Sequence, residues 1–170
     1  MTLDGTDIPW QPITIADLES FRPDLPLLSA EPAGWAVVDL PANFVAHAEQ
    51  QVVSGILLGE PAEVRFTPVS FTWDYGDGES RTTSEPGASW SALGVPELTA
   101  TSTSHAYHER GRVQAELTVT YGAEYRFLGP EWIPVVGTLE VTTSPTPISV
   151  VTADTMLVVG DCHSAGGPGC

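Results

Sequence analysis

Lysine is missing from this chain altogether, and its few cations are arginines: six basic residues face 22 aspartates and glutamates in 170 residues, for a formal net charge of −16. Without lysine there is no Schiff-base chemistry, no phosphate-loop lysine and no lysine–asparagine crosslink. A surface this acidic repels phosphate backbones and anionic headgroups, so nucleic acid is excluded as an expected partner and charge-driven membrane binding with it. Long hydrophobic runs are lacking too. The longest, around "VVSGILLG", falls far short of the ~18 residues of a spanning helix, so no direct membrane insertion is expected. Cysteine is scarce, with two residues, Cys162 and Cys170, in the closing "DCHSAGGPGC". A disulfide between them is the expected use and points to an oxidising compartment. A metal site built on Cys162, His163 and Cys170 would lack a fourth ligand and the usual spacing. The opening "MTLDGTDIPW" has neither a basic nor a hydrophobic region of a signal peptide. Two settings remain open, a cytosolic protein or a mature chain whose export signal has been removed. The paired cysteines, the acidity and the threonine-rich strands favour the second, a secreted or cell-surface location.

What is present is strand-like. Residues 1 to about 34 hold five prolines and one short helical signal, "TIADLESF", in which Thr14 caps a turn with Asp17 in the position of a capping acid. This segment reads as an arm docked through Trp10, Phe21 and Trp35. From residue 35 onward come "WAVVDL", "QQVVSGILLG", "AEVRFTPVSFTWDY", "RVQAELTVTYGAEYRF", "GTLEVTT" and "ISVVTADTMLVV". In the clearest, Val113, Ala115, Leu117, Val119 and Tyr121 face one way and Gln114, Glu116, Thr118 and Thr120 the other. Val69, Phe71, Trp73 and Tyr75 alternate likewise against Ser70, Thr72 and Asp74. With 16 glycines and 15 prolines between the runs, the expected fold is all-β, an antiparallel β-sandwich, with a barrel as the alternative. Two loops stand out: residues 79–104, which carry Trp90, and "LGPEW" at 128–132, which carries Trp132.

The residues "WDYGDG" at 73–78 and "HAYHERGRVQAELTVT" at 105–120 resemble the PKD domain, an immunoglobulin-like β-sandwich. The likeness is carried by Trp73, Asp74, Gly76, Asp77, Gly78, His105, Tyr107, Gly111, Leu117 and Val119, with Tyr75, Val113 and Ala115 departing from the usual residues and a long insertion between the motifs. It divides the chain into an N-terminal arm over 1–49, a PKD-like sandwich over 50–143, and a C-terminal strand with a cysteine-paired tail over 144–170. The flanks resemble secreted proteins of high-GC Gram-positive bacteria. The resemblance implies a noncatalytic extracellular or surface module for protein contact, adhesion or assembly; the alternative is a carbohydrate-binding accessory of a secreted hydrolase system. The implied partner is a protein or polysaccharide at the cell surface. No cofactor is expected, and the isolated domain is expected to be a monomer.

The acidic turn "DYGDG" is explained without a ligand, since Gly76 and Gly78 can adopt positive φ and the aspartates can accept backbone N–H groups. Calcium held by Asp74, Asp77 and Glu79 is the alternative, although six to eight oxygens would be needed. A hydrolytic carboxylate pair needs a set separation across a cleft and one raised pKa, which a tight turn does not suggest. His105 and His108 lie three apart on an extended segment and therefore point to opposite faces. No serine elbow, triad, phosphate loop or dinucleotide fingerprint is found, so the chain is not expected to be an enzyme. Trp90 and Trp132 are the candidate ligand contacts, by stacking on a sugar or anchoring an interface; the reading favoured over that one is that each folds back to cover a sandwich edge or the open end of the core.

Overall fold

The architecture was read from a computed structural model, which describes residues 11–153. A single 3₁₀ turn, Ile15–Leu18, precedes the first strands: β1 (Leu27–Glu31), β2 (Trp35–Val37), β3 (Pro41–His47), β4 (Gln51–Leu57) and β5 (Glu60–Asp74). After it come β6 (Ser80–Thr83), a one-turn helix α1 (Trp90–Leu93), β7 (His105–Ala106), β8 (Gly111–Arg126), β9 (Ile133–Thr142) and β10 (Thr146–Val151). The described residues are all-β apart from these single helical turns, with two sheets packed on one core.

The larger sheet is built on its two longest strands, β5 and β8, which pair antiparallel from Glu63↔Arg126 to Asp74↔Glu116. The outer edge of β5 is shared by β4 and β6, and that of β8 by β9 and β10. The smaller sheet has the order β1-β3-β7. Phe44 from β3, Trp73 from β5, Leu117 and Val119 from β8 and Ile148 from β10 are all buried in the shared core.

The alternation expected in residues 113–121 is present: Ala115, Leu117, Val119 and Tyr121 are buried, and the same face continues through Ala123 and Tyr125. On β5 the expectation needs one correction. Phe71, Trp73 and Tyr75 are buried, whereas Val69 is 48% exposed. Pairing passes from Pro68↔Tyr121 to Ser70↔Thr120, so Val69 sits in a bulge. The extra residue exchanges the two faces of the strand. Even-numbered Ala62, Val64 and Phe66 point into the core before the bulge, and odd-numbered residues after it.

The arm also differs from expectation. Its helical turn forms as read, the Asp17 carboxylate accepting from both the Thr14 N–H (2.8 Å) and hydroxyl (2.9 Å). Ile13, Leu18 and Phe21 are buried, and the Ile13 carbonyl accepts from the Val136 N–H at 3.0 Å, tying the arm to β9. Residues 27–47, however, are not an appendage to the two sheets: β1 and β3 form most of the smaller one. A boundary at residue 49 therefore falls inside the shared core. The boundary at 143 does so too, because β10 pairs with β8. Trp35, expected as an arm contact, is 44% exposed on β2, and Trp10 lies outside the described residues. Between named strands of the described residues one pairing is parallel rather than antiparallel, β2 with β10, with Trp35 opposite Ser149; the bridge of Thr14 to Val136 is parallel too.

Candidate functional site

The turn after Trp73 is a braced corner. The Asp74 Oδ1 accepts from the Gly76 N–H at 2.9 Å, and the Asp77 Oδ1 from the Glu79 N–H at 3.1 Å. Each is an Asx-type bond closing over two residues. The Tyr75 N–H donates to the Glu79 carbonyl at 3.1 Å, which closes the base of the turn. Gly76 has φ +80°, and a Cβ there would lie 2.2 Å from the Gln114 carbonyl oxygen, so both conformation and space demand glycine. Gly78 has φ +95° but open space around it, so only its conformation does.

His105 and Tyr107 complete the corner. His105 is 7% exposed; its Nε2 lies 2.6 Å from the Asp77 Oδ2, its Nδ1 lies 3.8 Å from Glu79, and its ring stacks on Tyr75 at 4.2 Å between centroids. Tyr107, fully buried, donates its hydroxyl to the Tyr75 carbonyl at 2.9 Å. Burial, reinforced by the Asp77 charge, pushes the Tyr107 phenol far above its ordinary value, so it remains a fixed donor rather than a proton carrier. Partial burial works to raise the Asp77 carboxyl, yet the hydrogen bonds from His105 and the Glu79 amide, with the His105 charge, hold it below its ordinary 3.8.

These seven motif residues, Trp73, Asp74, Gly76, Asp77, Gly78, His105 and Tyr107, thus meet at one end of the core. Gly111 opens β8 opposite Val150 and is not part of the turn. His108 points away, as the extended spacing implied: its Nδ1 meets the Asp39 carboxylate at 2.8 Å in solvent, a bond that raises the imidazole above its ordinary value. Asp77 and Glu79 border a shallow cavity of about 430 Å³, whose other lining includes Glu109 and two arginines, Arg110 and Arg112. Among the described residues no three histidine, cysteine or acidic side chains gather closely enough to hold a metal ion.

Asp77→Asn is expected to lower stability at neutral pH by about 1–2 kcal/mol, less than the full worth of a charge-assisted hydrogen bond because the side chain is partly exposed and the new amide oxygen can still accept. Because the folded carboxyl titrates below 3.8, its contribution is complete above that value and is lost as pH falls through the lower folded one. The gap between wild-type and Asp77→Asn unfolding free energies, measured in urea, should close as the pH is lowered from about 5 into stronger acid.

The two tryptophans read as ligand contacts are otherwise engaged. Trp90 is 4% exposed, with its indole N–H bonded to the Thr99 carbonyl at 2.8 Å. Trp132 is half-buried against the guanidinium groups of Arg65 and Arg126, 4.3 and 4.5 Å from its ring centroid. Those arginines pair with Glu124 and Glu63 across β5 and β8. Trp90 thus folds back onto the protein, while Trp132 is partly covered by the two arginines. Cys162 and Cys170 lie outside the described residues.

A polar cluster outside the two motifs fastens the long 79–104 segment. Asn43 on β3 is wholly buried. Its amide donates to Glu31 Oε2 at 2.8 Å and to the Ala88 carbonyl at 2.9 Å, and its Oδ1 accepts from the Thr101 hydroxyl at 2.7 Å. The Thr103 hydroxyl donates to the Phe44 carbonyl at 2.6 Å, and the Ala46 N–H to the Pro86 carbonyl at 2.8 Å. The available signal was one amide inside the otherwise apolar "ANFVA", since a polar group in a buried strand must find partners. Asn43→Ala should cost about 2 kcal/mol by stranding those partners, and should speed proteolysis within 84–104 before the rest of the chain is cut.

No protein-family model matches this chain, and neither a curated protein nor a solved structure matches it significantly.

Proposed function

We propose that the chain is a noncatalytic extracellular or cell-surface module that serves protein contact, adhesion or assembly, built on a PKD-like, immunoglobulin-like sandwich. The observation that carries this reading is the use to which the acidic turn is put. Both Asp77 oxygens and one of Asp74 are occupied by backbone amides and His105, and Tyr107 is fixed as a donor to the backbone. A general acid would need a raised carboxyl pKa, whereas Asp77 is depressed. The residues that carry the PKD likeness therefore serve as braces of a scaffold, and the surrounding acidic surface suits neutral or cationic partners.

Two experiments test it. Proteolysis of intact source cells should cut this chain at the surface; protection until lysis would overturn the placement. Affinity electrophoresis through gels holding soluble polysaccharides should leave its mobility unchanged. Retardation by a glycan, relieved in Trp132→Ala, would replace protein contact with the carbohydrate-binding alternative.

A further inference from the structure

A second concavity lies away from the braced corner, between the β1–β2 turn and the segment that follows α1. It encloses about 710 Å³ and is lined by Glu31, Pro32, Trp35, Trp90, Pro96 and Glu97 among others. That volume suits a few residues of a bound peptide. Trp35 is the functional clue: it is 44% exposed, while Trp73 and Trp90 are at most 4% exposed. Glu31 is held in place, its Oε2 accepting from Asn43 Nδ2 and from the Trp90 N–H at 2.9 Å. Neither Glu31 nor Glu97 forms an ion pair among the described residues, and the lining contains no arginine or histidine.

The same molecule contains a similar group of side chains with its cations in place. At Trp132 a tryptophan ring, two glutamates and two arginines assemble, each guanidinium lying against the ring while pairing with a carboxylate. At Trp35 the ring and two glutamates recur, and among the described residues no arginine or histidine lines them. The corner cavity, by contrast, carries Arg110 and Arg112 beside its acids.

We propose that the Trp35 cleft receives an arginine side chain presented by a protein partner. The planar guanidinium stacks on the indole and bonds Glu97 and the fixed Glu31, a geometry that the spherical lysine ammonium fills less well. The proposal rests on the reading of the chain as a protein-contact module and names the chemistry of its partner.

The test uses the full chain and a short peptide with one arginine flanked by alanines, at about 150 mM salt to suppress attraction by net charge alone. Indole N–H resonances are followed by NMR. The Trp35 resonance should shift saturably while that of buried Trp73 stays fixed, and a peptide with neutral citrulline in place of arginine should not bind. Trp35→Ala and Glu97→Gln should each weaken binding by about tenfold or more, which corresponds to 1.4 kcal/mol. Glu140→Gln, an equal charge change on exposed β9, should leave it unchanged. Absence of a saturable shift, or equal weakening by all three substitutions, overturns the proposal. Its failure is distinct from failure of the module reading: unretarded mobility in glycan gels and cleavage on intact cells would keep the module while removing this site.

Discussion

Trp73→Ala is expected to remove about 3–5 kcal/mol of stability, as for other large aromatics deleted from a packed interior. Trp73 is 1% exposed and stands opposite Leu117 on one side and Arg81 on the other. Its ring stacks beside Phe71 at 6.5 Å, and its indole N–H donates to the Thr83 hydroxyl at 3.0 Å. Truncation would open a cavity among strands too extended to close it and would leave the Thr83 hydroxyl to its remaining bond with the Glu85 carbonyl. For a domain whose whole stability is about 5–15 kcal/mol, such a loss approaches unfolding. Urea denaturation followed by far-UV circular dichroism would measure it. A shift of the thermal midpoint of only a degree or two would contradict the central placement of this ring. Trp73→Phe, which keeps most of the apolar volume but drops the indole N–H, should recover more than half of the loss.

Gly76→Ala is the second large effect, expected at about 3–4 kcal/mol from left-handed backbone strain together with steric displacement. The new methyl would meet the Gln114 carbonyl oxygen at 2.2 Å, a backbone atom held in β8. Relief would require separating the turn from β8, and with it the pairing of Asp74 with Glu116 at the end of β5. Gly78→Ala provides the internal control. Its φ of +95° is equally unsuited to alanine, yet no atom lies within 4 Å of the added methyl, so the cost should be only about 1–2 kcal/mol. Equal losses at the two glycines would show that the close approach to β8 is not what fixes Gly76.

The contrast between these glycines was only partly readable beforehand. Local chemistry announces a turn at "DYGDG", and the alternation in residues 113–121 announces a strand with one buried face, because both depend on neighbours in sequence. The contact of Gly76 with Gln114 depends on a pairing partner about 40 residues away and leaves no local trace. The same limit applies to β1 and β3. "PANFVAH" opens on proline and does not alternate, because β3 is buried from Ala42 to Ala46 on both faces, one of them covered by the 79–104 segment. Residues 27–47 were therefore read as part of an arm, although they build the second sheet. On β5 the parity change between Phe66 and Phe71 was present in the sequence, and it requires an inserted residue; extending the later alternation back to Val69 concealed it. For the site, the order of the two motifs brought Asp77 and His105 into one candidate set, but the partner of each polar atom emerged only from the fold. Trp35 passed as an arm contact because three-residue β2 pairs in parallel with distant β10, a pairing with no local signature.

The direct measurement of the central claim, that the acidic turn is a brace of the fold, is the pH titration of the Asp77 side-chain carboxyl carbon by NMR in the intact chain. A carboxylate holding the Glu79 amide and His105 should titrate below 3.8, and replacing His105 with phenylalanine should move it upward. A value at or above that of an ordinary aspartate would contradict the account, since a proton-donating acid or a cluster of mutually repelling cation ligands would hold its proton to higher pH.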